Sequence, residues 1–251
     1  MKDIDQQKTF SRPLTRRHFL ATGLKAGAAA FATGLLPKLQ VDAAGQYNVL
    51  FIIVDDLRPL LGCYGHPEMH TPNIDRLAQR GTLFNRAYSQ YPLCSPSRTS
   101  MLTGLRPVTA GVLNNKTYFR ETVPNVVTLP QHFQAHGYYT QSVGRVFHTP
   151  DFQDDENSWS APSWRPPWYP TDYDTTPSWQ ALDVEDDDLK DGKVAKRAVE
   201  VLKQIKNQQF FLAVGFYKPH LPYNAPKKYF ELYENKSLIY PYSQVRHLLM
   251  M

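Results

Sequence analysis

The chain alternates between short continuous apolar runs and stripes with helical spacing. Asn48-Val49-Leu50-Phe51-Ile52-Ile53-Val54 is apolar after its first residue and stops abruptly at Asp55-Asp56. Its length and β-branched content predict a strand buried on both faces, as in a parallel sheet. Thr71-Pro72-Asn73 opens a helix with proline in its first turn; Ile74, Leu77 and Ala78 give it an apolar face, and Gly81 closes it. A second helix is expected over residues 128–136, stopped by Gly137, with a strand following over 138–143. A third fits residues 193–206, where Val194, Ala198, Val201, Leu202 and Ile205 share one face. Phe210-Phe211-Leu212-Ala213-Val214 reads as another buried strand. Strands alternating with helices predict an α/β fold, a mostly parallel sheet flanked by helices. Residues 151–188 are rich in Trp, Pro, Asp and Tyr and lack any period, so they are expected to form a long surface loop insertion. No internal repeat is visible.

Composition changes this picture little. The 251 residues are 42% hydrophobic, enough for an ordinary globular core. A net charge of +5 would suggest a polyanion partner, but residues 1–43 hold seven Lys/Arg against three Asp. The remaining 21 bases face 20 acids, so no nucleic-acid partner is expected. Two cysteines, Cys63 and Cys94, make no disulfide framework.

The basic segment reads as an address. Thr15-Arg16-Arg17-His18-Phe19-Leu20 precedes an Ala/Gly-rich stretch up to Leu36, and Val41-Asp42-Ala43 offers small residues for a signal peptidase. This layout predicts a bacterial twin-arginine (Tat) signal over residues 1–43, cleavage after Ala43, and a periplasmic or secreted product. The rival reading, a membrane helix, fails because Gly23, Lys25, Gly27 and Gly34 interrupt the stretch, whereas a span needs roughly 18 apolar residues. No stable membrane span is expected. Tat export carries folded protein, so a cytosolic modification can be finished beforehand.

Two features carry chemistry. Asp55-Asp56 ends a strand at the sheet edge where open α/β folds bind ligands, and paired carboxylates there suit Ca²⁺ or Mg²⁺; a plain turn or capping pair is the bland alternative. The second is Cys94-Ser95-Pro96-Ser97-Arg98, continuing Thr99-Ser100-Met101-Leu102-Thr103-Gly104. A cysteine-phosphatase loop needs more residues between Cys and Arg to wrap a phosphate than the three found here. A small buried hydrophobe sits poorly among Pro, two Ser and Arg. A helix beginning near Cys94 would aim free backbone N–H groups, with Arg98 one turn on, at whatever occupies position 94.

Cys-x-Pro-x-Arg followed by Thr-Gly, here Cys94, Pro96, Arg98, Thr103 and Gly104, resembles the signature of the type I, formylglycine-dependent sulfatases. Val54-Asp55-Asp56-Leu57-Arg58-Pro59, Leu61-Gly62-Cys63-Tyr64-Gly65, Ser142-Val143-Gly144-Arg145-Val146-Phe147-His148 and Lys218-Pro219-His220 are similar to the iduronate-2-sulfatase branch of that family, and the resemblance spans residues 47–235. It implies an alkaline-phosphatase-like fold and hydrolysis of sulfate esters on a sulfated polysaccharide or glycosaminoglycan. It also implies that a formylglycine-generating enzyme oxidises Cys94 to formylglycine (3-oxoalanine). Ca²⁺ or Mg²⁺ would be held by Asp55, Asp56 and the modified Cys94. Arg98, His148 and His220 would be catalytic, with Arg145 and Lys218 contacting substrate. The hydrated aldehyde explains the need for modification: one hydroxyl takes the sulfate from its alcohol, and the other expels it, an exit that serine lacks.

Two departures from the family pattern stand out. Arg145 occupies a position where the family usually has Lys, which keeps the charge but not the compact ammonium. The family's remaining metal ligands, an Asp followed by His or Asn, come from a later half, and no such pair follows His220 here. The expectation is therefore the N-terminal part of a sulfatase catalytic domain over residues 44–251, truncated. Two other readings stay open: an inactive truncated fragment that binds sulfated glycans weakly, and a phosphate-ester hydrolase of the same superfamily.

Overall fold

The computed structural model describes residues 47–148, 154–167 and 179–234. All belong to the compact unit Tyr47–Met251. The expected leader with its Arg16-Arg17 pair and cleavage point, and the chain after residue 234, lie outside the described residues.

Among the described residues there are five strands: β1 (Val49–Val54), β2 (Tyr139–Gly144), β3 (Trp179–Leu182), β4 (Phe210–Phe216) and β5 (Tyr223–Pro226). Three form a parallel sheet in the order β1-β4-β2, and β3 pairs in parallel with β5. In register, Val54 lies opposite Phe216 and Gly144 opposite Gly215. All three main strands thus end at one edge, and residues 55, 145 and 217 leave from it together.

The helices are α1 (Pro72–Arg80), α2 (Cys94–Thr103), the single turns α3 (Pro107–Ala110) and α4 (Phe119–Thr122), α5 (Leu129–Ala135), α6 (Lys190–Ile205) and α7 (Lys227–Glu231). On one face of the sheet, Val194, Ala198, Val201 and Ile205 of α6 pack on Val143, Leu212 and Val214. On the other, Leu102 of α2 and Phe119 of α4 join Phe147, Trp159, Phe211 and Ala213. Helices on both faces and parallel pairing bear out the expected α/β class. A capping box between Thr128 and Gln131 starts α5, as placed from the sequence. Helix α6 begins at Lys190, three residues before the expected start, because Gly192 fits where any Cβ would strike the Asp186 carbonyl of the preceding turn.

Two expectations are corrected. β1 is not buried on both faces: Phe51 and Ile53 pack against the core, whereas Leu50 and Ile52 are 45% and 49% exposed. Among the described residues, β1 is an edge strand covered on one side. Nor is the 151–188 stretch simply a surface excursion. Trp159 enters the core, and Asp155 is 1% exposed, accepting hydrogen bonds from Arg120 Nε (3.0 Å), Arg120 Nη2 (2.7 Å) and the Tyr118 hydroxyl (3.1 Å). Trp164 binds the outer edge of β2, its carbonyl accepting from the Gly144 amide and its own amide donating to the Ser142 carbonyl. Buried acids satisfied by a guanidinium leave no hydrophobic period to read. Among the described residues no helix is long and apolar enough to cross a membrane.

Candidate active site

The strand ends place the cleft, and α2 closes one side of it. Cys94 is the first residue of α2, with Pro96 in its first turn. Gly104 ends the helix in the left-handed conformation (φ 71°), its amide donating to the Ser100 carbonyl. The cleft, about 400 Å³, is lined by Asp55 and Asp56 from the end of β1, by the approach segment Tyr91-Pro92-Leu93, and by Cys94, Ser97 and Arg98.

At the floor lies Asp55, 6% exposed, between two guanidinium groups. Arg98 Nη2 is 3.3 Å from Asp55 Oδ1, and Arg145 Nη1 is 2.9 Å from Oδ2. The second pair is close in distance but lies off hydrogen-bond direction, so Oδ2 remains a buried oxygen without a hydrogen bond. Arg98 also donates through Nη1 to the main-chain carbonyls of Arg145 and Val146. That contact depends on a close approach of β2 and β4: Gly144 has φ 83°, and a Cβ on Gly215 would sit 1.9 Å from the Arg145 carbonyl oxygen. Arg145 then donates from Nη2 to Nδ1 of His148 at 2.8 Å. Burial, reinforced by the charges of Arg145 and Arg98, pushes the His148 imidazolium pKa down to about 4. His148 is a neutral ring at pH 7.

One ligand atom each from Asp55, Cys94 and His220 lie within 4.8 Å of one another. A buried carboxylate beside a thiol and an imidazole fits a metal cation. Asp56 lines the same cleft, in the left-handed region at φ 56°, without joining that set. The His220 Nδ1 lies 2.7 Å from the Leu221 carbonyl, which can only accept, so Nδ1 carries a proton. Burial and the Asp55 carboxylate push the Cys94 thiol pKa up, so the unmodified side chain is no thiolate at neutral pH. Lys218 turns its ammonium to the carbonyls of His220 and Pro222.

The helix end differs from the sequence expectation. The Ser95 amide donates to Asn115 Oδ1 at 2.9 Å, and Pro96 has no N–H. Of the first three positions, α2 therefore offers a ligand at most the Cys94 amide, and positive charge at the cleft comes from Arg98 and Arg145. Asn115 was not anticipated; the only sequence signal is the Asn114-Asn115 pair in a loop. Asp191 was also missed: its carboxylate accepts from the Tyr217 and Lys218 amides, each at 2.8 Å, anchoring the segment that carries His220.

The parallel strands flanked by helices match the alkaline-phosphatase-like fold of solved relatives. A solved phosphonate monoester hydrolase from Agrobacterium radiobacter superposes with a TM-score of 0.60 over 77% of this chain and 45% of its own, at 22% identity, a likeness of fold alone. The Sulfatase family model matches residues 47–240, and the chain belongs to the sulfatase family. It is 38% identical to human iduronate 2-sulfatase over 241 residues, covering 88% of this chain and 44% of that protein. It is 34% identical to a sulfatase of Formosa agariphila, covering 77% of this chain and 43% of that one. The chain thus spans less than half the length of these relatives.

Proposed function

We propose that this cleft is the nucleophile half of a sulfuric ester hydrolase of the iduronate-2-sulfatase type, acting on a sulfated polysaccharide or glycosaminoglycan. The observation that carries the reading is the convergence of Cys94, at the start of its Cys-x-Pro-x-Arg helix, with buried Asp55 and the Arg145–His148 pair. Asp55, Cys94 and His220, with Asp56 beside them, would hold a divalent cation, Ca²⁺ or Mg²⁺. A bound cation supplies charge neutralisation for sulfate and lowers the pKa of a coordinated hydroxyl. Cys94 converted to formylglycine by a formylglycine-generating enzyme would supply a geminal pair of hydroxyls, one to take sulfate and one to release it.

The chain's own residues set the rest. Arg98 and Arg145 offset the charge of Asp55 and leave the cleft receptive to an anion. His148, neutral with its proton on Nε2, donates that hydrogen to a sulfate or leaving-group oxygen. His220 would bind the cation. Arg145, engaged by Asp55 and His148, would add positive field beside the sulfate. Lys218 contributes positive field from behind His220.

Co-expression with a formylglycine-generating enzyme tests this. Mass spectrometry of the peptide bearing Cys94 should show conversion, and the product should release alcohol from an aryl sulfate or a sulfated glycan in preference to an aryl phosphate. A thiol left unmodified in a competent host, or a preference for phosphate, overturns the reading. We further propose that Arg16-Arg17 routes the chain through Tat export to the periplasm or beyond; Arg16→Lys with Arg17→Lys should trap uncleaved precursor, and undiminished export would refute it.

A further inference from the structure

Three consecutive carbonyls leave the end of β2, those of Arg145, Val146 and Phe147, and each accepts a hydrogen bond from a guanidinium. Arg98 takes the first two from inside the cleft. The third is taken by Arg165, whose Nη2 lies 3.1 Å from the Phe147 oxygen. We infer that Arg165 is a positioning residue for the cleft, holding from outside the loop that presents Arg145 and His148.

The anchoring of Arg165 is independent of the cleft. Its neighbour Trp164 is bonded through both main-chain groups to β2, on the edge away from β4. Its guanidinium also stands 4.0 Å from Asp154 Oδ2, which accepts from the Ser142 hydroxyl at 2.8 Å. Asp154 is almost wholly buried and Ser142 completely so. The segment carrying residues 154 and 165 is therefore riveted to the same strand whose end it steadies. With residues 145–147 fixed at every carbonyl, the side chains of Arg145 and His148 have one relative placement, and the 2.8 Å bond between them follows. The charged groups acting on His148 are Arg145, Arg98, Asp55 and Arg165 itself, so removing Arg165 also withdraws one positive charge from the ring. Such a side chain acts on the reaction only through the carbonyl and the field it provides.

The role in turnover rests on the sulfatase reading; the loop geometry is tested without it. Arg165→Met, Arg165→Gln and Arg165→Lys would be made in the 251-residue chain and checked for folding by circular dichroism. Long-range ¹H–¹⁵N spectra would follow the His148 ring. In Arg165→Met, or in Arg165→Gln if the former does not fold, His148 should lose its single Nε2–H tautomer and titrate above about 4, toward the ordinary 6.5. Arg165→Lys, which keeps charge and a donor, should restore much of both. A folded Met or Gln variant with an unchanged tautomer and midpoint overturns the inference, and so does a change that Lys fails to lessen, since packing alone would explain it. If the converted protein is active, the Met variant should lose kcat with KM little changed. Absence of turnover in the unsubstituted protein would favour the inactive-fragment reading and leave the spectra to decide the role of Arg165.

Discussion

The Arg145 guanidinium donates to Nδ1 of His148 at 2.8 Å, and this one bond places the ring proton on Nε2. The folded pKa of about 4 lies below the ordinary 6.5. The neutral ring therefore favours the fold fully above the unfolded value, and that contribution is lost as pH falls from 6.5 toward 4. NMR titration should find His148 neutral down to about pH 4, with stability declining across that window. Arg145→Ala should raise the midpoint without restoring 6.5, because burial is the larger cause.

Gly215 is expected to tolerate no side chain. Its Cβ would meet the Arg145 carbonyl oxygen at 1.9 Å, and the obstacle is main chain that cannot rotate away. Gly215→Ala should destabilise by about 3 kcal/mol in urea melts and withdraw the carbonyls that Arg98 holds.

Buried and exposed ion pairs should separate cleanly. Asp155→Ala leaves the Arg120 guanidinium, 12% exposed, without its carboxylate and should cost about 3–5 kcal/mol. The Asp187–Lys196 pair is at least half exposed on both sides, so Asp187→Ala should change stability by less than about 1 kcal/mol. Comparable losses for the two would show that Asp155 does not fasten its segment.

Divalent cations should stabilise the chain through Asp55. At a free concentration of about 100 times Kd, mass action gives roughly 2.7 kcal/mol, visible in differential scanning fluorimetry. Asp55→Asn also disturbs two arginines, so the readout is the increment on adding Ca²⁺ or Mg²⁺, not the baseline. An increment that survives Asp55→Asn would place the ion elsewhere.

How much was legible varied with the kind of interaction. Phe210–Phe216 lies in the middle of its sheet with helices on both faces, and a continuous apolar run states that directly. Val49–Val54 has nearly the same composition but an exposed face, because burial depends on neighbours that a run of residues does not specify. The start of the Cys94 helix was expected, and Pro96 in its first turn and Gly104 past its end act locally on the backbone. Asp154, Asp155, Ser158 and Arg165 escaped notice because their burial is secured by long-range polar pairing. Of the site, the acids, arginines and histidines were recognisable as types, whereas Asn115 on the Ser95 amide and the turn of Lys218 toward carbonyls emerged only from three-dimensional placement.

The strand order has a consequence in time. β1 and β2, whose ends carry the two sides of the cleft, touch each other nowhere in the sheet; each waits for β4 to slot between them. The ribosome makes β4 about 120 residues after Cys94, and at 5–20 residues per second that is a delay on the order of ten seconds. Throughout it Arg98 has no carbonyls of residues 145 and 146 fixed in place to hold.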